Sequence, residues 1–182
     1  MNSPVVGWHA EHMYFRQLLA LLRKELEVFA LGDQPNYDLM LDIITYLREY
    51  SDQFHHPRED TVFAMLAQRV PEMQLPVARL QQEHRVIAHA GEALEEFLRA
   101  ILDGVVVPRS DVETAAATYL VYYGNHIARE EEDVLARAAE MLTPQDWEAV
   151  RHAAPSGRDP LFGDKPDERF RALRRQIAGE AG

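Results

Sequence analysis

Two copies of one short pattern constrain this chain more than any other feature. His55 and Glu59 stand four residues apart in Gln53-Phe54-His55-His56-Pro57-Arg58-Glu59-Asp60, and His126 and Glu130 repeat the spacing. On a helix, a separation of four places two side chains on one face, a turn apart. Each pair has a lone histidine upstream: His12 lies 43 residues before His55, and His84 lies 42 before His126. The chain thus carries H…HxxxE twice, offset by about seventy residues. A single such pair is commonplace on helix surfaces, whereas two copies with matched upstream histidines form a pattern. Imidazole and carboxylate together suit a first-row metal such as iron, manganese or zinc.

The residues around the pattern keep helical spacing. From about Val6 to Leu31, Trp8, His12, Phe15, Leu19, Leu22 and Leu26 alternate steps of four and three, which marks a seam facing partner helices. His12 sits on that seam, and His9 is placed to flank the same face. Gly32-Asp33-Gln34-Pro35-Asn36 has the composition of a loop. A second segment, about Tyr37 to Val70, carries Leu41, Ile44, Leu47, Ser51, His55, Glu59, Val62 and Leu66 on one face. Pro57 lies inside it. Proline has no N–H for the residue four back and crowds that residue's carbonyl, so a kink is predicted near Gln53.

A third segment, about Pro76 to Asp103, places His84 on a seam with Val77, Leu80, Ile87, Gly91, Leu94, Leu98 and Ile101, and Gly104 is its expected stop. His89 falls about 140° from His84 around the helix and is expected to be exposed. Ser110-Asp111-Val112-Glu113 has the form of a capping box opening a fourth segment to about Leu142. Its predicted inner face carries Tyr119, Tyr122, His126, Glu130 and Asp133. Thr143-Pro144 opens a short fifth helix. Residues from about 154 to 165 form a linker, and 166–178 a last short helix. Arg169, Arg171, Arg174 and Arg175 are expected on a solvated face of that helix.

Four long amphipathic segments with short connections predict an all-α, up-down-up-down four-helix bundle over residues 1–142. Residues 143–182 form a helical extension packing on or beside it. Counting residues from each helix end to His12, His55, Glu59, His84 and Glu130 puts them at one height, to within about 5 Å at a rise of about 1.5 Å per residue. Histidines and carboxylates buried without partners are costly, and one shared metal centre satisfies them all.

The stretches EHMYFRQLL, FHHPRED, EHRVIAH and HIAREEEDVL resemble the motifs of the bacterial hemerythrin-like (HHE cation-binding) domains over about residues 8–142. The resemblance implies a bundle holding a non-haem di-iron centre, two Fe ions with oxo or hydroxo bridging, with Zn or Mn as substitutes. Carried over, His12, His55, Glu59, His84, His126 and Glu130 are the candidate ligands and the two glutamates the bridges. His56, Glu131 and Tyr122 are secondary candidates. In the oxygen-carrying members a second histidine follows four residues after the one on helix 3, where this chain has Ala88. Their helix 4 carboxylate stands five residues after the histidine, which corresponds to Glu131. On a straight helix Glu130 faces the seam better. Tyr122 is placed either as a core aromatic or as a donor filling the gap at Ala88. The implied chemistry is binding or reduction of O2, peroxide or nitric oxide. The alternative is an iron-sensing or iron-storage module acting through a protein partner or as a homodimer.

Bulk properties narrow the setting. There is no cysteine, hence no thiolate metal site, disulfide or cysteine nucleophile. A net charge of −11 argues against nucleic acid as a partner, because phosphate repels an acidic surface. No apolar run approaches the roughly 20 residues a membrane span needs. Met1-Asn2-Ser3-Pro4 lacks the basic-then-apolar form of a leader, so a cytoplasmic location is expected.

Overall fold

The structure is a computed structural model that describes residues 5–153 and 157–180. Residues 1–4, read above for a leader, and 154–156, the start of the expected linker, lie outside it. Every described element is helical and no strand occurs among the described residues. The elements are α1 (Val5–Ala30), α2 (Tyr37–Tyr46), a π-helical stretch (Leu47–His55), α3 (His56–Arg69), α4 (Gln74–Leu102), α5 (Arg109–Arg129), a second π-helical stretch (Glu130–Val134) and α6 (Leu135–Met141). Each π stretch joins its two flanking helices into one rod. The bundle therefore has four long rods: α1, α2–α3, α4 and α5–α6. Beyond it lie α7 (Pro144–Ala153) and α8 (Arg171–Glu180).

The same cap closes α1 and α4. Gly32 (φ 86°) and Gly104 (φ 79°) take the left-handed conformation that glycine adopts without a Cβ penalty. Asp33 N–H then donates to Val28 O, and Val105 N–H to Ala100 O, satisfying carbonyls the helix leaves unpaired. At α1 the guanidinium of Arg109 donates to the carbonyls of Phe29, at 2.7 Å, and Ala30. This bond ties the start of α5 to the end of α1. It also alters the expected cap: α5 begins at Arg109 after Pro108, with no side-chain cap, and Ser110 Oγ turns to Asp111. Thr143 does cap α7, exchanging hydrogen bonds with Asp146.

The expected kink at Pro57 takes the form of a widened helix. His56 N–H donates to Ser51 O, five residues back. A π turn relieves the crowding proline imposes on the preceding turn, and Arg58 Nε donates to Phe54 O at 2.9 Å. Inward positions therefore fall five apart above the proline (Tyr50 to His55, Ser51 to His56) and four apart below it (His55 to Glu59). All five of these residues are buried. The second stretch moves Asp133 off the predicted inner face: Val134 is buried in its place, because a wide turn needs one more residue to come round.

Two apolar clusters fill the bundle. One contains Phe15, Leu18, Leu22, Ile43, Ile44, Tyr46, Ile87, Leu94, Leu98, Tyr119 and Tyr123. The other contains Trp8, Val62, Phe63, Leu66, Val77, Leu80, Val134 and Leu135, with Trp147 and Val150 of α7. Along each rod the buried histidines, with Glu59, Glu83 and Glu130, fall between the two. Leu161, Phe170 and Leu173 of the C-terminal segment are buried in the first cluster, and Phe170 stands edge-on to Tyr46 at 5.6 Å.

Gly91 of α4 lies against the Tyr119 ring of α5. A Cβ there would lie 2.8 Å from Cε2 of the buried Tyr119 ring. Gly91→Ala gains about 1 kcal/mol of helix propensity but overpacks the crossing at a cost of about 1–3 kcal/mol. The expected result is a net loss near 1 kcal/mol and a melting temperature lower by about 2–4 °C. Thermal unfolding of the variant checks this, and a raised melting point would show that the ring yields freely.

Candidate metal centre

The four rods bring their polar side chains together in one buried layer. His12, Glu59, His126 and Glu130 are fully buried, and His55, His56 and His84 nearly so. On one side, His12 Nε2 and His55 Nε2 lie 2.9 Å apart and 3.3 and 3.1 Å from Glu59 Oε1. On the other, His84 Nε2 lies 3.8 Å from Glu59 Oε2 and 3.5 Å from Glu130 Oε1. His126 Nε2 is 3.0 Å from Glu130 Oε1, and His12 Nε2 is 3.5 Å from Glu130 Oε2. Each glutamate therefore turns one oxygen to each side.

Both oxygens of Glu59 and of Glu130, with His84 Nε2 and His126 Nε2, are buried without a hydrogen-bond partner. Buried polar atoms are rarely left so. An atom set of imidazole nitrogens and carboxylate oxygens aimed at common points fits metal ions. Two donor groups, His12–His55–Glu59 and His56–Glu59–His84–His126, each have their ligating atoms within 4.8 Å of one another and share Glu59. The layer is consistent with a di-metal site.

The outward nitrogens follow one rule. His55 Nδ1 bonds Glu11 at 2.6 Å, His84 Nδ1 bonds Asp60 at 3.2 Å, His126 Nδ1 bonds Glu83 at 3.3 Å and His12 Nδ1 bonds Glu131 at 3.1 Å. A carboxylate on the second nitrogen fixes ring orientation and leaves Nε2 with its lone pair inward. Each rod supplies the carboxylate for the histidine of the next in chain order, and the last closes on the first. Arginines brace three of these acids: Arg58 on Glu11, Arg16 on Glu131, and Arg79 with Arg129 on Glu83.

The structure also places the secondary candidates. His56 is buried within the second donor group, stacked on His84 at 4.1 Å between ring centres, with Nε2 3.2 Å from Ser51 Oγ. Glu131 lies outside the buried layer, on His12, His9 and Arg16. Tyr122 departs from expectation: it is 41% exposed and lines a surface cleft of about 510 Å³ with Arg79, Glu83 and Arg129. The inward register of α5 is 119, 123, 126, 130, so Tyr123 faces the core and bonds Ser51 through its hydroxyl. His89 is exposed, as its angle predicted. Glu11, Asp60 and Glu83 were not singled out from sequence, although each adjoins a residue of the repeated pattern.

Charge follows from these contacts. Burial pulls His55 down, but Glu59 and Glu11 push it up to about 9. Burial likewise opposes His84, which Asp60 and Glu130 push up to about 10. Burial would raise Glu59, yet the His55 and His12 imidazoles hold it well below the usual carboxylate range. His56 goes the other way, pulled well below its ordinary value by burial and by His84 and His126. In the metal-free protein, protons on His55 and His84 thus offset the core carboxylates.

Metals bind the deprotonated imidazole. Loading at pH 7 should therefore release protons, and affinity should rise with pH toward 9 to 10. Calorimetry in buffers of different ionisation heat measures this, and loading without proton release would contradict the assignment. A raised imidazole pKa contributes stability that is complete below the ordinary value of 6.5 and lost as pH climbs through 9 to 10. Melting of the stripped protein should fall as pH rises from 6.5 toward 9 to 10.

No helix of the described residues is long and apolar enough to cross a membrane. Searches of curated proteins and of solved structures find no match. The family model of the hemerythrin HHE cation-binding domain matches residues 3–138, a range that reaches into all four rods and includes every side chain of the buried layer. The chain belongs to the hemerythrin HHE cation-binding family.

Proposed function

We propose that this chain is a non-haem di-iron protein that binds or reacts with O2, peroxide or nitric oxide. One observation carries the reading: two carboxylates, each with an oxygen toward either side, stand without a hydrogen-bond partner between two sets of inward imidazoles. His12 and His55 would hold one iron and His84 and His126 the other, with Glu59 and Glu130 shared. Ferrous ions held there by these side chains would offer positions for small ligands and would supply electrons for their reduction, becoming ferric.

The chain's own residues set the conditions. The carboxylate behind each imidazole keeps Nε2 directed at the centre. The two apolar clusters above and below the layer exclude bulk water. Tyr123 and Ser51 bring hydroxyls to His56 at the edge of the layer, where they order that ring.

A second reading is a non-enzymatic iron-sensing or iron-storage module acting through a protein partner. The depth of the layer fits it, since His12, Glu59, His126 and Glu130 are 0% exposed and an ion held there would be shielded from bulk solvent. Repeated additions of hydrogen peroxide separate the two: an enzyme keeps consuming it, whereas a sensor changes its spectrum once and stops.

Purified protein should contain about two irons per chain, with the optical bands of a bridged pair. His55→Ala and His126→Ala should each lower the iron content, while His89→Ala should leave it unchanged. Metal analysis decides this. Full iron in both core variants would remove the basis for the assignment.

A further inference from the structure

Beside His12, on the flank of the bundle, a third donor group lies outside the buried layer. His9 Nδ1 is 3.0 Å and His12 Nδ1 3.1 Å from one oxygen, Oε1 of Glu131. The ligating atoms of these three residues all lie within 4.8 Å of one another. The His9 side chain is 48% exposed and that of Glu131 18%, so the group opens to solvent. Arg16 holds the other oxygen of Glu131 at 2.6 Å and so keeps Oε1 turned to the two imidazoles.

His12 belongs to this group and to the buried layer. Its Nε2 faces His55, Glu59 and Glu130, and its Nδ1 faces Glu131. A neutral imidazole has one N–H and one lone pair, so it ligates through one nitrogen at a time. With an ion inside, Nδ1 carries the proton and donates to Glu131. With an ion outside, Nε2 carries the proton and faces Glu59 Oε1 at 3.3 Å. At His12 the two occupancies exclude each other.

We propose that His9, His12 and Glu131 form a transient entry site for a divalent first-row cation, which passes to the buried layer through the His12 ring. The proposal rests on the reading of that layer as a metal centre. The donor set of two imidazoles and a carboxylate suits Fe2+, Mn2+, Co2+ or Zn2+. Three protein donors leave water on the ion, which arrives partly hydrated and sheds the rest on moving inward. The guanidinium of Arg16 keeps the outer site weak, as a transfer site requires.

His9 bonds Glu131 on the outer side of His12, away from the inward Nε2 atoms, and this makes it the residue to test. Metal-free full-length protein is mixed with Co2+ in a stopped-flow spectrometer, visible absorption follows uptake, and metal analysis gives the end point. His9→Ala should load several-fold more slowly than the unaltered chain and reach the same final content. His89→Ala, which removes an exposed histidine elsewhere, should load at the unaltered rate. Loading of His9→Ala at the unaltered rate overturns the entry site alone. A lower final content in His9→Ala makes His9 a permanent ligand and also overturns it. Failure of the unaltered chain to bind Co2+ overturns the buried centre and the entry site together.

Discussion

The interaction on which the rest depends is the ring of four carboxylate–imidazole hydrogen bonds around the buried layer. Glu11 of α1 holds His55, Asp60 of α3 holds His84, Glu83 of α4 holds His126, and Glu131, just beyond α5, holds His12. Removing any one of these acids would free a buried ring to turn and would leave a buried N–H without an acceptor, which costs about 1–3 kcal/mol. The ring also fixes the arrangement of the rods. Each bond links two neighbours in chain order, so the heights of all four are specified at the level of the histidines. Apolar contact alone specifies height poorly, because leucine-rich seams slide past one another at small cost.

The two widened stretches let this layer exist on rods that also pack apolar cores. On an uninterrupted α-helix His55 and His56 differ by about 100°, and only one of them faces inward well. The π stretch ending at His55 changes the register just above the layer, and both rings are buried. The second stretch starts at Glu130 itself: Leu135 N–H reaches back to Glu130 O, and Val134 rather than Asp133 comes round to the lower apolar cluster. Departures from regular helix thus sit on the two rods that carry HxxxE, at the ligand level, where a functional layer must be reconciled with the packing on either side.

The bundle and the layer's composition were legible because both are written as periodicity. The seams of α1 and α4 run unbroken, so His12, His84 and His89 could be placed by angle alone, and Gly104 could be recognised as a cap. Legibility ended where the helix changed pitch. Pro57 announced a disturbance, but the widened turn follows from how the chain accommodates the ring. Nothing as plain as a proline announces the stretch at Glu130. Tyr122 illustrates the same limit. Residues three and four before His126 are almost equally close to its face, and packing against Ser51 and Phe15 selects Tyr123. Three of the four outer carboxylates, Glu11, Asp60 and Glu83, were hidden for another reason. Glu11, Asp60, Glu83 and Glu131 each adjoin a residue of the pattern but serve a histidine on a different rod, so no local spacing connects donor to acceptor.

The two sides of the layer are alike in plan and unlike in setting. Toward α1, the supporting acids Glu11 and Glu131 are each braced by an arginine and each 18% exposed, with His9 beyond them in solvent. Toward α4, His56 adds a third imidazole, stacked on His84 and kept neutral by burial and by its neighbours. This third ring has no counterpart in the donor group of His12, His55 and Glu59. The repeated H…HxxxE pattern gives each side the same protein donors, so any inequivalence between the two must come from residues outside the repeat. His9 and Glu131 on one flank and His56 with Ser51 and Tyr123 on the other are those residues. A duplicated pattern thereby becomes a site with one side flanked by the exposed His9 and the other enriched in imidazole.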